Sequence, residues 1–268
     1  MYSAGLLRGL AVILLCASAP AQWLDRKTGG LPRLPSGKPD LEAPAPKGPD
    51  GHPDLSGIWK PEDNRPCPPI GCNDMKIGQE FLDIGWSIGG LPYQPWAAAL
   101  VKARMARNGM DDPTSHCLPG GIIKTHTVPL YRKFVQTPGL VVILSERDSA
   151  YRQIFTDGRP LPLDPNPSWN GYSVGTWSGG VLTVLSKGFR DGLWLDRNGS
   201  PLTDSATITE RFHRISVGKL EIEIGVNDPK AYTKPWTVKL NSFLVPDTEM
   251  LDYNCLENEK DTTHLVGK

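Results

Sequence analysis

The sequence predicts a mainly β fold: an antiparallel β-barrel with one helix and long loops, with a β-sandwich as the alternative. Short alternating runs are the first reason; Leu220, Ile222 and Ile224 set against Lys219, Glu221 and Glu223 are the clearest. The second is the punctuation between runs by turn pairs such as Asp157-Gly158 and Gly179-Gly180. The third is that one segment alone, residues 95–107, carries the stripe and boundary signals of a helix. The runs amount to roughly eight to ten strands, and a barrel is preferred because closure removes exposed edges.

Residues 1–21 read as an export signal: Arg8, an apolar core from Gly9 to Cys16, then the small-x-small site Ala19-Pro20-Ala21. The core is too short for a permanent membrane span, so the chain is expected to be periplasmic or extracellular and not membrane-spanning. Residues 22–53 are rich in Pro, Gly, Lys and Asp and read as a flexible leader. A single β-barrel domain over 54–258 and a polar tail over 259–268 complete the chain. With 29 basic and 29 acidic residues, the charge balance gives no reason to expect a nucleic-acid partner.

Taken in order, residues 54–59 open the domain as a first strand. Residues 61–93 form a long irregular connection with Phe81, Leu82, Ile84, Trp86 and Ile88, which suits a lid or a packed loop. The helix follows, with Pro95 in its first turn and Trp96, Leu100 and Val101 as its packing stripe. Residues 122–127, 130–136 and 140–146 read as strands. Residues 149–156 form another, ended by the Asp157-Gly158 hairpin signal. Beyond that turn Pro160 and Pro162 cannot donate to a ladder, so the far arm is a short edge or an extended loop. Residues 172–178 and 181–186 form a hairpin about Gly179-Gly180. Residues 206–214, 219–224 and 236–240 supply the remaining alternating strands.

Beyond the signal segment stand Cys67, Cys72, Cys117 and Cys255. In an oxidising compartment an even number reads first as disulfides, here Cys67–Cys72 and Cys117–Cys255. A metal site is the alternative, but paired C-x-x-C, H-x-H and H-E-x-x-H spacings are missing from the sequence, and neither a metal nor a cofactor is expected.

Two ionisable residues stand out. Glu210 interrupts an apolar face between Ile208 and Phe212 and so points inward. There it is either paired, with Arg152 as the natural partner because it sits between Ala150 and Ile154, or shifted upward in pKa as a catalytic acid. His126 is either a general base or a hydrogen-bonded residue of the barrel rim. Tyr131, Tyr151, Trp177 and Trp236 are candidates to line an apolar ligand cavity with Arg152, the alternative being plain core.

The Gly57-Ile58-Trp59 opening resembles the base of lipocalin-like (calycin) barrels, in which the indole plugs the bottom and glycine lets a neighbour approach. A longer pattern is similar to a family of exported bacterial β-rich proteins. It comprises DDPTSHCLPGG, RQIFTDGRPLPLDPNPSWNGYSVGTWSGGVLTV, ERFHR, DPKAYTKPWTV and YNCLEN. The resemblance implies a barrel-like domain from about residue 54 to residue 258, supports pairing Cys117 with Cys255, and implies no established activity. This chain departs from that pattern: Leu161 stands where the family has His, and Ser178 and Gly180 stand where it has acids.

The resulting expectation is an exported β-barrel that binds a small, largely apolar molecule in its mouth, with Glu210 and Arg152 orienting a polar group. One alternative is a lyase, isomerase or hydrolase on the same scaffold with Glu210 or His126 as acid/base. The other is a structural envelope protein with a filled barrel. The oligomeric state is not legible in the sequence.

Overall fold

A computed structural model describes residues 27–65, 77–255 and 257. Nine strands close into a barrel. In chain order they are β1 (Gly57–Pro61), β2 (Arg132–Thr137), β3 (Leu140–Ser145), β4 (Tyr151–Phe155), β5 (Tyr172–Ser178), β6 (Val181–Lys187), β9 (Thr207–Arg214), β10 (Lys219–Asn227) and β11 (Trp236–Leu244). Between β6 and β9, β7 (Leu193–Trp194) and β8 (Pro201–Leu202) form a separate two-stranded ladder. Going round the barrel the order is β1-β11-β10-β9-β6-β5-β4-β3-β2, and β2 returns to β1. This selects the barrel over the sandwich, and the fold is compatible with a calycin-like one.

The inner wall follows from period-two alternation. Ile208, Phe212, Leu220, Ile222, Ile224, Val238 and Leu240 face a core shared with Phe134, Ile143, Ile154, Leu182 and Val184. Trp59 is wholly buried; its Nε1 donates to the Leu55 carbonyl at 3.0 Å, and the Arg214 guanidinium lies 5.0 Å from its ring centroid. Gly57, with φ +138°, makes room for this plug: a Cβ there would stand 2.6 Å from Leu244 Cδ1.

Every neighbouring pair is antiparallel except one. β4 and β5 run parallel and pair only at Ile154↔Ser173 and Phe155↔Val174. The Asp157-Gly158 hairpin is therefore corrected. Asp157 accepts instead from Arg159 Nε at 2.9 Å, Pro160 and Pro162 keep the chain out of any ladder, and a crossover returns it to β5 in the same direction. The Gly179-Gly180 hairpin does form, with Ser178 opposite Val181.

A second correction concerns residues 122–127. They form a short helix, α3 (Gly121–Thr127), not a strand. All but Thr125 are buried, because α3 plugs one end of the barrel. A helix satisfies its own backbone inside such a plug, whereas a strand without a neighbour leaves its polar groups unpaired, so burial overrides β-branched propensity here. Lys124 anchors the plug through Asp112 at 2.6 Å, both side chains being buried.

The long connection holds α1 (Gln79–Leu82), and the expected helix is α2 (Pro95–Ala106). It packs through Ala97 and Val101; Trp96 is instead half exposed, its Nε1 donating to the Lys230 carbonyl.

The opposite end is covered by the segment whose composition suggests a flexible leader. Residues 27–53 lie along the barrel. Val217 N donates to the Ala43 carbonyl, Ser216 Oγ to the Leu41 carbonyl, and Arg33 pairs with Asp247 at 2.6 Å. Leu31, Leu41 and Ala43 pack on the core. Both mouths are thus occupied by the chain itself.

Cys117 and Cys255 form a disulfide across a sequence separation of 138 residues. Cys67 and Cys72 lie outside the described residues. Among the described residues no helix is long and apolar enough to cross a membrane. Closing so long a loop constrains the unfolded chain, so Cys117→Ala is expected to lower stability by roughly 2–5 kcal/mol, read from urea denaturation beside the oxidised protein. An unchanged midpoint would show that this bridge does not hold the C-terminal segment.

Candidate functional site

Strand parity carries Glu210 and Arg152 inward, as the sequence indicates, and the two meet inside the barrel. Glu210 is fully buried and receives a bidentate pair from Arg152: Nη1 donates to Oε1 at 2.9 Å and Nη2 donates to Oε2. The rest of the guanidinium is occupied as well. Its Nε donates to Ser173 Oγ at 3.2 Å, and its Nη2 reaches Ser186 Oγ at 3.0 Å. The two serine hydroxyls, brought face to face by β5–β6 pairing, lie 2.9 Å apart.

The third member arrives from the plug. α3 delivers His126 so that its Nε2 stands 2.9 Å from Glu210 Oε1. Burial alone would push the Glu210 carboxyl up. The charge of Arg152, with hydrogen bonds from His126 and Arg152, outweighs this and holds it near 2. Burial lowers His126 to about 4, only partly offset by Glu210. Near neutral pH the pair is a carboxylate and a neutral imidazole, so Nε2 carries the proton and Nδ1 the lone pair. His126 Nδ1 is buried without a partner.

Glu210 therefore does not have the raised pKa of a general acid. It pairs with Arg152, and its Oε1 stands against His126 Nε2. His126 is carried by the helix α3 and is hydrogen-bonded to Glu210.

One part of this cluster comes near the surface. Below the two pairs that join β4 to β5 the strands diverge, leaving a cleft of about 480 Å³. Arg152 and Ser173 line it from the barrel side; Tyr151, Phe155, Trp169 and Tyr172 line it from outside. Tyr151 is 66% exposed, and Asn170 Nδ2 donates to its carbonyl at 3.2 Å. Phe155 and Tyr172 stack at 5.3 Å, with the Arg159 guanidinium 3.9 Å from the Phe155 centroid.

The other aromatic candidates are dispersed. Trp177 stacks on His52 at 4.8 Å, Trp236 packs edge-on against Tyr232 at 5.5 Å, and the Tyr131 amide is held by Glu146 at 2.9 Å. Trp169 and Tyr172 were not apparent as site residues from sequence, because alternation does not tell which strands become neighbours. Among the described residues, no three His, Cys, Asp or Glu side chains gather as metal ligands.

The buried pair makes stability depend on pH. Glu210 has a folded pKa below its ordinary value of 4.5, so its contribution is present above about 4.5 and lost as pH falls toward 2. His126, ordinarily 6.5 and here about 4, also binds protons more readily when unfolded, so stability drops as pH falls from 6.5 to 4. Urea midpoints measured from pH 7 to pH 4 should decline, and His126→Asn should flatten that decline; a wild-type midpoint constant over this range would contradict a buried neutral histidine. Comparison with family models, with curated proteins and with solved structures found no match.

Proposed function

We propose that this chain is an exported barrel that binds a small, largely apolar molecule in the cleft between β4 and β5, not in a barrel mouth. One observation carries the reading. Tyr151, Phe155, Trp169 and Tyr172 surround a space of about 480 Å³ whose inner side meets Arg152 and Ser173. That volume lies within the range of small-molecule sites, and an apolar lining with a few convergent polar groups is their usual chemistry. Aromatic rings supply contact area, and the side-chain carbonyl of Asn170, whose amide nitrogen is taken by the Tyr151 carbonyl, is placed to orient a polar group. The occupied mouths favour this location over the barrel ends. Export is supported by the N-terminal pattern and by the Cys117–Cys255 bridge.

A second reading, acid–base catalysis, is favoured by one atom: Nδ1 of His126, buried and unpartnered while Glu210 holds the other ring nitrogen. On this reading the substrate meets His126 in the small pocket beside Pro61, Glu80 and Thr127, not in the cleft, which His126 does not line. His126→Asn then loses turnover while affinity for ligands of the cleft stays within about threefold.

The binding reading is tested by screening a library of small amphipathic aromatic compounds by thermal shift and titrating the hits. Tyr151→Ala and Trp169→Ala are expected to weaken them by about tenfold or more each, and Trp177→Ala to leave them unchanged. Hits indifferent to Tyr151 and Trp169, or lost only with Trp177, would place the ligand elsewhere.

A further inference from the structure

The small pocket beside His126 has a volume of about 10 Å³ and is lined by Glu62, Glu80, His126, Thr127 and Asn241 among others. Four parts of the chain build it. Glu80 sits on α1, His126 and Thr127 on α3, Asn241 on β11, and Glu62 directly follows β1. Room of that order holds one water-sized particle.

The polarity of the lining selects that particle. The side-chain donors facing the pocket are already spent. Asn241 Nδ2 donates to Glu62 Oε2 at 2.8 Å, Thr127 Oγ1 donates to the Ile123 carbonyl at 3.3 Å, and His126 Nε2 is turned to Glu210. What remains accepts: Asn241 Oδ1, the second oxygen of Glu62, the Glu80 carboxylate and His126 Nδ1, which is buried without a partner. Glu80 is nine-tenths buried, yet its side-chain hydrogen bonds among the described residues come only from Asn64 Nδ2, at 3.4 and 3.5 Å. A carboxylate so weakly held is costly away from water unless a cation joins it.

Charge balance points the same way. Among the described residues Glu62 and Glu80 have amides, not cations, as partners. Arg152 and Glu210 cancel. Arg132, wholly buried beside Ser242 and acting on His126 through its charge, offsets one of the two carboxylates, and one negative charge is left over. The lining residues do not gather as ligands of a metal ion, which needs contacts of about 2.0–2.6 Å. An N–H donor reaches acceptors at about 2.7–3.2 Å and suits a looser ring.

We propose that this pocket is a binding site for an ammonium group, held by Glu80, Glu62 and Nδ1 of His126. Occupancy requires no turnover, so the site stands apart from the cleft between β4 and β5; where the acid–base reading holds, it makes the substrate an amine.

The test uses the intact protein. Melting temperatures are compared in the chlorides of ammonium, methylammonium, potassium and tetramethylammonium at equal ionic strength. Wild type is expected to gain roughly 2–4 °C in about 0.2 M ammonium over tetramethylammonium, which has no N–H donor, and Glu80→Gln to lose that gain. A gain from ammonium alone assigns the free ion; an equal or larger gain from methylammonium assigns the head of a primary amine. With ¹⁵N-ammonium, Overhauser contacts from its protons to Thr127 or Leu240 should appear in wild type, a readout that stands even if the variant fails to fold. An equal gain from potassium, an undiminished ammonium gain in Glu80→Gln, or the absence of those contacts would overturn the proposal.

Discussion

A carboxylate removed from water must be neutralised where it stands, and on the inner wall of this barrel that carboxylate is Glu210. Glu210 of β9 takes Arg152 of β4 across the interior, and the serines of β5 and β6 complete the guanidinium. Four strands and the plug helix are thereby tied to one another through side chains as well as ladders. Because strand faces alternate, a slip of one residue in β9 or β4 turns its partner outward and leaves the other charge enclosed alone, a loss of about 3–5 kcal/mol. Hydrophobic burial makes the barrel stable, but this pair makes its register specific.

The same tie explains why the wall stays intact where it is thinnest. Only two residue pairs join β4 to β5, yet Arg152 and Ser173, one on each strand, are bonded to each other just inside that seam. The parallel pairing and the cleft beside it share one origin, a crossover that prolines keep out of the sheet. With α3 at one mouth and residues 27–53 at the other, the cleft between β4 and β5 approaches Arg152 of the cluster from the side of the barrel.

Much of this was legible in the residues. Period-two alternation was sufficient to send Glu210 and Arg152 inward, since each interrupts an apolar face. It also located β5, β6, β9, β10 and β11 closely. What escaped was set by partners distant in sequence. The segment IIKTHT has the composition of a strand and becomes a helix because it fills a hole that other strands create. Arg132 stands beside Lys133 at a strand start, where two adjacent cations hide which one turns inward; the inward Phe134 two residues on was the available signal. Trp169 and Tyr172 could not be grouped with Tyr151 without knowing that β5 lies beside β4.

The strand that opens the domain pairs directly with the strand that ends it, Trp59 opposite Leu244. Such remote pairing gives the fold a high contact order, so assembly waits on the last part of the chain and is expected to be slow. Until β11 arrives, β1 and β10 each offer an unsatisfied edge to any other chain. Fragments truncated before β11 would therefore be sticky intermediates and not smaller working domains, and the cell must shield the nascent chain until its two ends have met.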